Sequence, residues 1–190
     1  MTRHVYFPTE GFISLVVVVN GSPGVEVGMV GREGMVGAQL VLGVARSPVH
    51  AVVQGEGTAW RVPARAFRGE LARSASLRRH LNSYLYVLMA QQSASAACLR
   101  FHQTGQRLAR WLLMSQDRAH ADSFHVTQEF LAYMLGMRRV GITAAAGMLQ
   151  KEGLIEYNRG EMKVLDRSGL EAVACNCYAA DQKTYTELLG

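Results

Sequence analysis

The chain is short of several things. It has three cysteines, four prolines and a charged fraction of 18% in 190 residues, against roughly 5% proline and 25% charge in an average soluble domain. Cys98, Cys175 and Cys177 are odd in number, with a single C-x-C, which excludes a disulfide framework; a tetrahedral zinc set would need a fourth ligand from elsewhere. They read as reduced structural thiols. The most apolar uncharged stretch of the N-terminal part, Gly11 to Val25, is broken by Asn20, Gly21 and Pro23 and is too short to span a bilayer. The N-terminus has no basic segment followed by an apolar run and a small-residue cleavage site, so a cytoplasmic location is expected, with no membrane partner.

Chemistry-bearing patterns are scarce as well. No G-x-S-x-G, P-loop, metal-binding histidine pair or Cys-His pairing is visible, so an enzyme has no support. His50, His80, His102, His120 and His125 lack H-x-x-x-H or carboxylate-paired spacing and are expected on the surface or in loops. No cofactor or metal is expected.

What is present divides in two. Hydrophobic residues make up 49%, enough for a packed core. Residues 5 to 62 are rich in Val and Gly and punctuated by turn dipeptides such as Asn20-Gly21, which predicts short antiparallel strands. From Ala64 onward there is no proline, and Leu77, Leu81, Leu85, Leu88 and Leu99 recur at near-helical spacing. This predicts a long amphipathic helix. Tyr84, Tyr86, Met89 and Ala90 widen its apolar surface, which must be covered by the sheet or by a second copy of the chain.

A helix near Thr104 to Ala119 and a polar loop, AHADSF, follow. The next segment is far more specific. Thr127 is a good N-cap with Glu129 in the first turn, and Gly136 stands where a left-handed residue ends the helix. The next helix buries Ile142, Ala145, Ala146 and Leu149 at i, i+3, i+4, i+7, leaving Arg139, Thr143, Gly147 and Gln150 together on another side. Two helices over a tight turn make a helix-turn-helix. LIEY, NRG and EMKVL then read as a hairpin, the wing.

Such a motif can be mere packing, but its composition favours duplex DNA. Arg138, Arg139 and Lys151 are basic and no acid lies between them. Free N–H groups at a helix start attract phosphate, and an arginine fork matches guanine O6 and N7 in the major groove. Arg139 is expected to read bases; Arg138 reads bases or holds phosphate. Thr143 and Gln150 offer donors, and Val140 or Ala144 can touch a thymine methyl. Arg159 and Lys163 on the wing are phosphate ligands or ordinary solvated charges. The net charge of +5 permits a polyanionic partner, yet residues 98–190 carry 11 basic against 10 acidic side chains. Any positive patch must be local.

VTQEFLAYMLGMRRVGITAAAGMLQKEGLIEYNRG resembles the winged helix-turn-helix of the Crp/Fnr family of transcription regulators, and VYFPTEGFISL with GREGMVG resembles that family's N-terminal sensor jelly roll. The resemblance implies an α+β fold with a partial β jelly roll, residues 1–68; a long dimerisation helix, 69–101; a winged helix-turn-helix, 102–178; and a C-terminal tail, 179–190. It further implies a sequence-specific regulator that binds double-stranded DNA as a homodimer on a near-palindromic operator and contacts RNA polymerase. Leu77, Leu81, Tyr84, Leu85, Leu88, Gln92 and Leu99 would form the dimer seam, and Thr127 would stand with the DNA-binding residues.

The departures are specific. The resemblance implies that the chain begins inside the family's barrel. Where the family's cyclic-nucleotide cassette has Gly-Glu and then Arg-Ser or Arg-Thr with Ala, this sequence has Gly37-Ala38 and Arg46-Ser47-Pro48, so the ribose-binding carboxylate is absent. Arg46 either pairs with an anion or is an exposed arginine. Gln92 and Ser93 either reach a ligand or set the register of the seam. A regulator gated by a cyclic nucleotide or other small anion, held by Gly37, Arg46, Ser47, Gln92 and Ser93, is therefore the alternative. The four-cysteine set of the family's iron-sulfur sensors is not present.

Overall fold

The computed structural model describes residues 1–20 and 24–190. The expected Asn20-Gly21 turn therefore lies partly outside the described residues. Five short strands form the N-terminal region: β1 (His4–Pro8), β2 (Phe12–Val17), β3 (Val25–Val30), β4 (His50–Gln54) and β5 (Ala59–Pro63). β1 pairs with β5, and β2 lies between β3 and β4, all antiparallel. A single bridge from Tyr6 to Val36 and a short 3-10 helix, Ala38–Leu42, complete this region.

The helix expected from Ala64 is broken. α1 (Ala64–Arg73) stops at Ser74, which takes an extended conformation and accepts a hydrogen bond at its Oγ from the Leu77 amide, 3.1 Å, to cap α2 (Ala75–Phe101). Serine competes with helix continuation because its hydroxyl satisfies a free N–H at a new helix start. The 27 residues of α2 span about 40 Å at 1.5 Å per residue.

α3 (Thr104–Ala119) leads into β6 (Ser123–His125), where a polar loop was expected. This strand is too short to show alternation, and it exists because β8 (Glu161–Val164) offers it a partner edge. With β7 (Ile155–Asn158) they make a sheet in the order β6-β8-β7. α4 (Gln128–Met134) and α5 (Arg139–Lys151) precede the wing, and α6 (Arg167–Val173) follows it.

The expected tail is instead part of α7 (Cys177–Leu189), which lies back along α2. Asp181 pairs with Arg110 at 2.6 Å, and the Tyr185 hydroxyl accepts from Arg118 at 3.0 Å. Both arginines are buried and charged, so α7 is fixed by groups that would be costly to leave unpaired.

Two large apolar cores form among the described residues, beside a small cluster of Cys98, Cys175 and Cys177. The larger joins Phe12, Val16 and Met29 of the sheet to Leu108, Leu112 and Leu113 of α3 and to Leu131, Ile142 and Leu149 of the helix-turn-helix. Its polar seam is Glu26, which accepts from Ser14 and, at 3.1 Å, from the Trp111 indole. Burial pushes the Glu26 carboxyl up to about 7. The smaller core gathers Val5, Met35, Leu40, Phe67 and Leu71 with Leu81, Tyr84 and Leu88 of α2.

This second core corrects the expected dimer seam. Leu81, Tyr84 and Leu88 are buried by their own chain, with Leu77 and Leu85 packed against the same cluster. Tyr84 lies so close to Gly34 that a Cβ there would clash with its ring, which explains the middle glycine of GREGMVG. The face of α2 that remains open carries Met89, Gln92, Ala96 and Leu99, at i, i+3, i+7 and i+10.

Candidate nucleic-acid interface

α4 and α5 are set by signals within a few residues of each other. The Thr127 hydroxyl accepts from the Phe130 amide at 3.1 Å and caps α4. At the other end Gly136, φ +60°, allows the Gly136 amide to reach Tyr133 O at 3.2 Å and the Met137 amide to reach Ala132 O at 2.8 Å. These two bonds are the Schellman closure, which needs a residue in the left-handed region. Buried Arg107 of α3 donates to the Leu135 carbonyl at the same corner. A cation there complements the negative end of α4 and fixes the turn against α3.

α5 leaves this corner with Arg138 as its N-cap. Ile142, Ala145, Ala146 and Leu149 are all buried, as the periodicity predicts. On the other side Arg138, Arg139, Val140, Thr143, Ala144, Gly147, Met148 and Gln150 are exposed. Val140 is 80% and Met148 64% exposed. Among the described residues, Arg138 and Arg139 make no ion pair. No acid stands between Arg138 and Lys151, so nothing on the helix neutralises its cationic start.

Two expected donors differ in what they have left to give. The Thr143 hydroxyl lies 2.6 Å from Gln128 Oε1 and 3.1 Å from Arg139 O. Its proton is engaged inside the helix-turn-helix, leaving an oxygen that accepts. Gln150 is exposed on the side of Arg139, but eleven residues further along, about 16 Å at helical rise. Met148, a lone methionine of the kind that resembles core in sequence, adds exposed apolar surface next to Ala144, one turn back along α5.

The wing turns at Arg159, φ +49°, and Gly160, φ +90°. Arg159 is exposed at its tip, and Lys163 is exposed on β8 opposite Ser123 and Glu156. The Tyr157 hydroxyl donates to Val126 O at 2.8 Å, tying the wing to the residue before the α4 cap.

This order of helix, glycine turn, cation-headed helix and hairpin coincides with a family match: residues 106–173 match the Crp-like helix-turn-helix domain. The chain carries a Crp-like helix-turn-helix domain on a Crp/Fnr regulator fold. A CRP-family transcriptional regulator from Thermus thermophilus superposes with a TM-score of 0.71 at 22% identity, covering 90% of this chain and 88% of that one. A second regulator of the CRP/FNR family from the same organism gives 0.69 at 22% identity, covering 91% and 88%. FixK2 of Bradyrhizobium japonicum gives 0.72 at 14% identity, again over 91% and 88%. No curated protein matches. The Crp-like domain thus begins within α3 and runs through α6, with α5 as the second helix of its helix-turn-helix.

Outside the Crp-like domain, the expected ligand residues converge only in part. A cleft of about 700 Å³ lies between the sheet region and α2; Gly37, Ser47 and Gln92 are among its lining residues, and Arg46 and Ser93 are not. Arg46 is exposed, and Ser93 donates its hydroxyl to Met89 O at 2.9 Å within α2. The arginine that would hold an anion therefore stands apart from the cleft. Among the described residues no helix is long and apolar enough to cross a membrane.

Cys98, Cys175 and Cys177 are free and buried, and they meet, with His102 of the joint between α2 and α3 beside them, a Cys-His pairing that was not visible in the sequence. Cys98 with His102 and Cys175 with Cys177 are each close in sequence, but the two pairs are more than 70 residues apart along the chain, so nothing local shows that they meet.

Proposed function

We propose that this chain is a transcription regulator that recognises a specific duplex DNA sequence through α5, acting as a homodimer on a near-palindromic operator. One observation carries the reading: the whole outer side of α5, headed by two unpaired arginines, is uncovered by the rest of the chain. The major groove admits a helix, and the first residues of a recognition helix meet the base edges. Arg139 is assigned to guanine O6 and N7. Arg138 at the helix start, the exposed Thr127 at the start of α4, and Arg159 and Lys163 on the wing are assigned to phosphate. Val140 and Ala144 present apolar surface to thymine methyls, and Thr143 accepts from a base amino group. Gln150, at the far end of α5, is assigned to the backbone.

The homodimer pairs the open face of α2, Met89, Gln92, Ala96 and Leu99, with its copy, in place of the buried leucines. Two α5 helices then enter successive major grooves about 34 Å apart. The units are a sheet region, residues 1–68; a linking helix pair, 69–101; and the DNA-binding region, 102–178. The protein works in the cytoplasm and contacts RNA polymerase from the bound site. Ligand gating is not favoured, because Arg46 lies away from the cleft.

Selection of bound duplexes from a random pool tests the reading. Enrichment of a near-palindrome with half-sites about one helical turn apart is expected. Recovery of unenriched sequence would refute specific recognition.

A further inference from the structure

α2 ends at Phe101, and α3 begins at Thr104. The joint between the long helix and the Crp-like domain is therefore His102 and Gln103. Cys98 sits in the last turn of α2, and Cys175 and Cys177 flank Asn176 in the turn from α6 to α7. The three sulfurs and one ring nitrogen of His102 all lie within 4.8 Å of one another. Cys98 Sγ is 3.5 Å from Cys175 Sγ, and Cys177 Sγ is 3.6 Å from His102 Nδ1. The cysteines are buried and in no disulfide.

These spacings have a specific meaning. Zinc bound at about 2.3 Å to sulfur and about 2.0 Å to nitrogen holds its four donors at the corners of a tetrahedron, whose edges are then about 3.4 to 3.8 Å. Both of these separations fall on that edge length. An iron-sulfur cluster places several metal and sulfide atoms between its cysteines and would hold the sulfurs wider apart. The donor set is also complete for one closed, four-coordinate site: three thiolates and an imidazole, with no carboxylate among them.

We propose that Cys98, His102, Cys175 and Cys177 form a tetrahedral Cys3His zinc site that ties the end of α2 to the turn between α6 and α7. The surroundings suit the charge. Three thiolates, a neutral imidazole and Zn²⁺ sum to −1, and the buried Arg110 guanidinium stands beside Cys98 with its Nε unpartnered. Arg110 is itself held by Asp181 at 2.6 Å and Ser95 at 3.4 Å, an outer shell that orients and neutralises the ligands. Each cysteine that is protonated before binding gives its proton to solvent as its sulfur bonds the metal, and His102 binds through a ring-nitrogen lone pair, so no oxidant or reductant takes part. The metal closes a loop between residues separated by most of the DNA-binding half of the chain and spans its joint with α2.

Metal analysis of the full-length chain, purified anaerobically with thiols reduced, is expected to find one zinc per chain. Cobalt(II) titrated into the metal-free chain is expected to give thiolate-to-cobalt charge-transfer bands and the intense visible bands of a tetrahedral site. Cys177→Ser and His102→Ala should each weaken cobalt binding by at least tenfold, while His120→Ala, outside the cluster, leaves it unchanged. Should a ligand variant fail to fold, the titration of the unmodified chain decides alone. The proposal is overturned by a reduced chain that binds neither metal at micromolar concentration, by cobalt spectra without charge transfer, by iron and sulfide in place of zinc, or by an unaltered affinity in His102→Ala.

Discussion

Helices α5 and α2 are both amphipathic, yet they relate to the rest of the chain in opposite ways. α5 buries one stripe of four residues and leaves the remainder of its outer side bare. α2 is wrapped: the smaller core takes Leu81, Tyr84 and Leu88 from one side, and α7 lies along another. Periodicity identifies which side of a helix is apolar. It does not say whose atoms will cover that side, and in α2 the cover is the chain itself.

The contrast is sharpest at adjacent positions, Leu88 and Met89. Leu88→Ala is expected to lower the unfolding free energy by about 2 to 5 kcal/mol, the range for a leucine removed from a packed core, measured by urea denaturation at a protein concentration where association is constant. Met89→Asp should instead leave that transition nearly unchanged and shift sedimentation toward monomer. If Leu88→Ala changed association alone, the assignment of the two faces would be reversed.

The junction between the sheet and α3 gives the next largest effect. Because burial raises Glu26 to about 7, the folded chain keeps a proton that the unfolded chain releases at ordinary carboxylate pH. This contribution to stability is complete below pH 4.5 and is lost as pH rises through 7. Glu26→Gln should remove that slope and stabilise the chain at pH 8 by about 3 kcal/mol, the equivalent of the shift. Parallel stability curves for parent and variant would contradict it.

How far these two regions were legible follows from where their determinants lie. The turn of the helix-turn-helix rests on Thr127, Gly136 and the stripe from Ile142 to Leu149, all within 23 residues; the sequence spells them out, and the structure follows. β6, the course of α7 and the Arg107 bond to Leu135 depend on partners brought near only by folding. The same holds for the cysteine cluster, whose two pairs, Cys98 with His102 and Cys175 with Cys177, are brought together only by folding. Ser74, which divides α1 from α2, did have a local signal, since serine just before the run that begins at Leu77 is an N-cap.

On α5 itself, Arg139→Ala should weaken binding to the selected duplex by about 1 to 3 kcal/mol and leave a scrambled duplex little affected, as measured by titration at fixed salt. Equal loss on both would remove Arg139 from base recognition. Lys163→Ala is the smallest change: all duplexes weaken alike, and the slope of log affinity against log salt falls by about 1. An unaltered slope would make Lys163 a solvated charge.

The central assignment, Arg139 against a guanine in the major groove, is tested most directly by replacing that guanine with 7-deazaguanine in each half-site and titrating both the parent and Arg139→Ala. The parent is expected to lose affinity on the modified duplex, while the variant, which has already lost the contact, binds both duplexes alike. Independent, additive losses in the variant would contradict the account.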